Sequence, residues 1–216
     1  MAKVAIVGAH GQIGQFIIKH LQLQGHQALG IVRKEEQIAN IHKLGAESLL
    51  LDIESATAQQ LASGLKGVDA VVFAAGAGGG STAERKHTVD YGGSVLLADA
   101  AKQAGVARYI QVSAVGVDEP VKPGTEPVWK AYVEAKRDAD IYLRKSGLEW
   151  TIIRPGPLTN DSAIGLVNLS EHAGRGEVPR EDVALVVVAA LDAKSSIGKQ
   201  WELRSGNTPI RDAVSQ

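Results

Sequence analysis

The sequence predicts an α/β domain built on a doubly wound parallel sheet, and three observations carry that expectation. Short β-branched runs alternate with longer segments of helical period, the pattern of repeated βα units. Hydrophobic residues make up 44% of the chain but aromatic ones only 4%, so the core is drawn from Val, Ile, Leu and Ala, the usual filling of buried parallel strands. No internal repeat, heptad pattern or Pro/Ser-rich linker divides the 216 residues, which favours one domain with a small C-terminal extension.

The strand candidates are residues 4–7, 28–32, 48–51, 70–73, 109–112, 150–154 and 201–204. Between them, residues 12–24, 35–44, 56–63, 88–104, 128–146 and 180–193 carry apolar side chains at three- and four-residue spacing, which predicts helices. Gly25, Gly45, Gly105 and Gly147 each follow a helical run, where a residue able to adopt positive φ ends a helix at little cost. Ser81-Thr82-Ala83-Glu84 has capping-box spacing, with Ser81 as the cap, and moves the expected start of the fourth helix ahead of Thr88. Two loops stand out as surface connections or site walls: residues 76–80, rich in glycine, and residues 117–127, stiffened by three prolines.

Composition narrows the functional classes. With no cysteine, a thiolate metal site, a disulfide framework and a cysteine nucleophile are all excluded. The net charge of −1 and the lack of a dense basic run argue against a nucleic-acid partner. No targeting segment and no span of roughly 20 apolar residues is visible, so the expectation is a soluble cytoplasmic protein with a small-molecule substrate and no membrane partner. The six histidines show no ligand-like pairing, and no metal site is expected.

The most informative motif is Gly8-Ala9-His10-Gly11-Gln12-Ile13-Gly14, which leaves the first strand and opens the first helix. Amides at a helix N-terminus can face a pyrophosphate there with no Cβ in the way, so the turn predicts a dinucleotide. His10 either contacts the phosphate or sits on the surface. The second strand ends Ile31-Val32-Arg33-Lys34, with Arg33 where an NAD-selective protein places an acid. A guanidinium there forms paired, charge-assisted bonds to a 2′-phosphate, which favours NADP, with NAD as the remaining option. Asp52, beside Ile53 at the end of the third strand, either accepts the adenine amino group or caps the next helix.

The glycine turn, Arg33, Leu51-Asp52, Ala74-Ala75-Gly76, Ser113, Tyr132-Val133-Glu134-Ala135-Lys136 and Arg154-Pro155-Gly156 follow one another in an order that resembles the atypical short-chain dehydrogenase/reductase family. The likeness is to its small NAD(P)-binding, epimerase-like group, with more distant similarity to flavin and biliverdin reductases and NmrA-like regulators. It implies a Rossmann-type fold and an NAD(P) cofactor. It also implies that Tyr132 is the acid/base, that Lys136 holds the nicotinamide ribose, and that Ser113 polarises the substrate oxygen. Asp90 stands where fuller family members carry an asparagine, and an ionised aspartate accepts hydrogen bonds but cannot donate them. Pro155, Gly156 and Leu158 fall where relatives present backbone groups to the nicotinamide carboxamide.

On spacing alone, Tyr132 and Lys136 share a helix face, where the ammonium is expected to lower the tyrosine pKa. Both could equally be ordinary residues of an amphipathic helix. The chain after Pro155 is too short for a large sugar-nucleotide lobe. The expected function is therefore an NADP(H)-dependent oxidoreductase acting on a small or planar acceptor. The alternatives are a non-enzymatic NADP-sensing regulator and a flavin or quinone reductase that needs no tyrosine acid.

Overall fold

The computed structural model describes residues 1–216. In chain order the elements are β1 (Lys3–Val7), α1 (Gln12–Leu23), β2 (Gln27–Val32), α2 (Ile38–Lys43), β3 (Glu47–Leu50), α3 (Ala58–Gly64) and β4 (Ala70–Phe73). There follow α4 (Ala83–Arg85), a π-type stretch (Lys86–Gly92), α5 (Gly93–Ala104), β5 (Arg108–Val112), α6 (Pro127–Arg144) and β6 (Glu149–Pro155). The C-terminal part adds β7 (Leu158–Thr159), β8 (Leu166–Ser170), β9 (Val178–Pro179), α7 (Arg180–Asp192), β10 (Lys199–Ser205), β11 (Thr208–Pro209) and α8 (Ile210–Val214).

The main sheet has nine strands in the order β11-β8-β10-β6-β5-β4-β1-β2-β3, and all pairings from β10 through β3 are parallel. This is the Rossmann arrangement, with the reversal of strand order between β1 and β4. All seven expected strands are present. The strand β8, antiparallel to β10, had no separate sequence signal, because its run Leu-Val-Asn-Leu-Ser is short and interrupted by asparagine.

Period-two alternation explains the two-layered core. On β1, Val4 and Ile6 join one apolar cluster while Ala5 and Val7 join the other, and on β4 Val72 and Phe73 divide in the same way. The first cluster contains Ile17 and Leu21 of α1, Ile41 of α2 and Val183 and Val187 of α7; the second contains Leu61 of α3, Leu97 of α5 and Leu143 of α6. Helices thus cover both faces. Helix α7, with apolar residues on nearly every side, is sandwiched between sheet and neighbouring helices, as its composition requires.

Most helix boundaries follow local chemistry. Gly25, Gly45, Gly105 and Gly147 all have positive φ. The expected capping box does not form: Thr82, not Ser81, is the cap and accepts the Arg85 amide at 3.2 Å, and the helical run starts at Ala83. Its Lys86–Gly92 stretch widens to π-type pairing, an irregularity that apolar spacing does not reveal. No helix is long and apolar enough to cross a membrane.

Candidate functional site

Two adjoining cavities open at the carboxyl end of the parallel strands. The smaller, about 250 Å³, lies over β1, β2 and the loop after β3; the larger, about 510 Å³, lies over β4, β5 and α6. They share Ala74, Ala75 and Gly76 as a common wall, so the cavity at the glycine turn adjoins the one lined by the Tyr132–Lys136 pair.

The turn at the smaller cavity is shaped by close backbone approaches. Gly8 has φ +88°, and a Cβ there would lie 2.7 Å from the backbone of Ala74 and Ala75. At Gly14 a Cβ would meet the Gly8 carbonyl oxygen at 2.3 Å. Gly14→Ala is accordingly expected to destabilise the protein by about 1–3 kcal/mol, the scale of backbone-level overpacking. Thermal unfolding should register this as a midpoint lowered by roughly 2–12 °C; an unchanged midpoint would refute the packing argument. Helix α1 begins at Gly11 without a side-chain cap and without an acidic residue in its first turn. Its first amides therefore keep the positive end of the helix dipole open toward the turn.

Gly8, His10, Gly11, Arg33, Asp52 and Ile53 all line the smaller cavity. Asp52 is not the cap of the next helix, which is Thr57; its Oδ1 instead accepts the Glu54 amide at 3.0 Å, tightening the loop. Two charged residues that sequence reading missed join it. Glu54 accepts from Arg85 Nη2 at 2.8 Å and from Thr88 Oγ1 at 2.7 Å, and these bonds, with Arg85 foremost, hold its carboxyl below the usual glutamate range. Arg33 touches Glu54 only at 3.7 Å, so its guanidinium is the less committed of the two.

Around the larger cavity stand Ser113, Tyr132, Lys136 and Asp90, with Ile13, Pro155 and Leu158 completing its apolar wall. Lys136 is buried; its Nζ lies 3.4 Å from Asp90 Oδ1, 3.4 Å from the Ala75 carbonyl and 3.3 Å from the Val112 carbonyl. The Asp90 contact has ion-pair distance but no hydrogen-bond alignment, leaving Oδ1 without a hydrogen bond. Its Oδ2 accepts the Ala77 amide at 2.9 Å, so Asp90 pins the glycine-rich loop while serving as counter-ion to Lys136.

Tyr132 departs from expectation. Burial pushes its phenol above the ordinary tyrosine range, and the opposing pull of Lys136 does not reverse this; Asp90 and Asp140 add to the upward shift. The group is a proton donor at neutral pH rather than a phenolate. Ser113 also differs from the simple picture of a group polarising a substrate oxygen, since its hydroxyl donates to Asp140 Oδ2 at 2.8 Å. Its hydrogen is thus committed to Asp140, and while that bond holds the oxygen can accept from a ligand but cannot polarise a ligand oxygen.

Behind Ser113 lies a buried network with no counterpart in the motifs. Asp140 also accepts from Gln111 Nε2 at 2.6 Å and from Arg154 Nε at 2.9 Å, with Arg154 Nη2 at an ion-pair distance of 2.8 Å; Arg154 continues to Asp118. Asp140 stands four residues beyond Lys136 and eight beyond Tyr132, so continuing the same helical face would have found it.

Three expected cofactor residues lie elsewhere. The Gln12 side chain lines a groove on the outer side of α1, and Gly14 acts through packing. Gly156 donates its amide to the Leu203 carbonyl at 2.9 Å, and a Cβ on it would lie 2.0 Å from the Gly176 oxygen. Its amide is thus spent on joining β6 to β10, not free for a carboxamide.

Comparison with known proteins agrees with this architecture. The profile of the NAD(P)H-binding family matches residues 8–194. The Bacillus subtilis protein YhfK, described as an uncharacterized sugar epimerase, is 38% identical over 215 residues, covering 99% of each chain. A solved Bacillus halodurans structure, provisionally assigned as an NAD-dependent epimerase/dehydratase, has TM-score 0.92 and 34% identity, with 100% of both chains covered. The oxidoreductase YlbE from Lactococcus lactis has TM-score 0.85 and 32% identity over 98% of this chain and 94% of its own.

Proposed function

The chain belongs to the NAD(P)H-binding family and fits the atypical short-chain dehydrogenase/reductase resemblance, and on that premise we propose that it is an NADP(H)-dependent oxidoreductase acting on a small or planar acceptor. The observation that carries the reading is the pair of adjoining cavities, which sets an open helix N-terminus and the loosely paired Arg33 guanidinium beside half-buried Tyr132 and buried Lys136. The residues present fit the dinucleotide. Gly8 and Gly11 bring backbone to the pyrophosphate, the uncapped start of α1 receives its charge, and Arg33 faces the 2′-phosphate.

When bound, NADPH supplies the hydride. Lys136, held by Asp90 and two carbonyls, binds the nicotinamide ribose and sets a positive field over the reacting oxygen. Tyr132, kept as a phenol by burial, donates its proton to the oxygen that gains negative charge. Ser113 lines the same cavity with its hydroxyl hydrogen given to Asp140, so while that bond holds its oxygen serves a donor group on the acceptor and not the reacting carbonyl oxygen. Monitoring NADPH oxidation against aldehydes, quinones and flavins tests this reading; no oxidation with any of these classes overturns it.

The cofactor preference has its own test. Arg33→Glu is expected to weaken NADPH binding by about 10- to 100-fold, the scale of one charge-assisted hydrogen-bonding site, while changing NADH binding by less than about threefold. Equal losses for the two nucleotides in a binding titration remove the 2′-phosphate role.

A further inference from the structure

Lys86 lies outside the constellation described above. It is only 8% exposed, yet its side chain lines the larger cavity from the first residue of the π-type stretch. Its ammonium donates to the Gly78 carbonyl at 2.7 Å and lies 5.2 Å from the centre of the Tyr132 ring, and it forms no ion pair. An ammonium has three N–H donors, and one is used. Of the other charged residues lining the cavity, Lys136 faces Asp90, and Glu126 has no cationic partner but is held at the start of α6, its two oxygens accepting the amides of Val128 and Trp129.

The Tyr132 ring also packs against Trp129, with ring centres 5.2 Å apart and planes inclined by 33°, and Trp129 lines the same cavity as Lys86. Trp129 is 58% exposed, so much of its indole is open to a ligand. A cation withdrawn from water without a counter-ion is costly, and a bound anion offsets that cost. An open indole beside it favours a flat partner, because a planar ring covers its face at little entropic expense.

We propose that Lys86 is the anion-recognition residue of the substrate cavity and that the acceptor is a planar molecule carrying a carboxylate. The carboxylate meets the free N–H groups of Lys86 while the ring lies against Trp129. This deepens the oxidoreductase reading and rests on it, since it assigns the larger cavity to the acceptor. It also separates the two lysines, Lys136 serving the reaction and Lys86 the choice of substrate.

The test uses a ligand pair of nearly equal shape, 2-naphthoate and 2-naphthamide, titrated calorimetrically into the protein with and without saturating NADP+. The wild type is expected to bind naphthoate about 10-fold more tightly than naphthamide, the scale of one charge-assisted hydrogen bond. Lys86→Gln should remove that preference without changing naphthamide affinity, and Lys86→Arg should retain it. Should Lys86→Gln fail to fold, Lys86→Met, which keeps the length and apolar cover of the stem, replaces it. Equal binding of the two ligands by the wild type overturns the proposal, as does a preference that survives loss of the ammonium. Because the readout is binding, an anion preference without NADPH oxidation defeats the oxidoreductase reading alone, and oxidation without the preference defeats only the Lys86 assignment.

Discussion

Tyr132→Phe is expected to lower turnover of any carbonyl acceptor by about 10²- to 10⁴-fold, the usual contribution of a positioned general acid, while NADPH affinity stays within about twofold. The substitution removes one oxygen and keeps the ring that Lys86 and Trp129 each approach to 5.2 Å, so the cavity wall is preserved. Single-turnover measurement of NADPH oxidation separates this chemical effect from product release, and a full-rate variant would sink the acid role. The pH dependence has a definite sign. Because burial raises the Tyr132 pKa, the phenol keeps its proton throughout the neutral range. Turnover should hold steady as far as Tyr132 governs it and decline only as pH rises beyond the ordinary tyrosine range of about 10. Had Lys136 prevailed over burial, that decline would begin nearer neutrality.

The second large effect belongs to Arg154. Its guanidinium is the cationic partner of fully buried Asp140, and it reaches Asp118 at 2.6 Å at the margin of the fold. Arg154→Met leaves the Asp140 carboxylate without that charge, which is expected to destabilise the protein by about 3–5 kcal/mol. For a chain of this size the thermal midpoint should fall by roughly 6–20 °C. A double variant, Arg154→Met with Asp140→Asn, removes the stranded charge and should recover part of the loss, an interaction visible in a double-mutant cycle. No recovery would show that Arg154 acts through packing rather than charge.

The linkage sign supports a further check on that variant. Burial already raises the Asp140 pKa, opposed first by Arg154, so losing Arg154 raises it further. A carboxyl whose folded pKa exceeds its unfolded value destabilises the fold fully above the folded value and not at all below the unfolded one. The deficit of Arg154→Met should therefore shrink as pH falls through the raised Asp140 pKa.

Much of the molecule was legible because the signals are local. Strands such as Val4–Val7 and Ala70–Phe73 announce themselves by β-branched composition, and the helices between them by apolar spacing. The glycine turn was readable because Gly8 and Gly14 answer a steric demand confined to one strand, one turn and one helix, although the contact of Gly8 with Ala74 needs the neighbouring strand. The pairing of Tyr132 with Lys136 was readable from helical periodicity. The behaviour of that pair was not, because spacing reports the nearness of the lysine but not the depth of the tyrosine, and burial outweighs the charge.

By itself, then, the sequence determined a parallel α/β sheet, the glycine turn proposed to receive a dinucleotide phosphate and the helix face on which the Tyr-Lys pair stands. Only the tertiary structure decided what those groups face. The contacts of Glu54 with Arg85, Ser113 with Asp140 and Asp140 with Arg154 join residues 31, 27 and 14 positions apart. Such contacts depend on which strand lies beside which, and hence on packing rather than local propensity. The same packing committed the Gly156 amide to β10 and left the ammonium of Lys86, which no motif marks, lining one cavity with the exposed indole of Trp129.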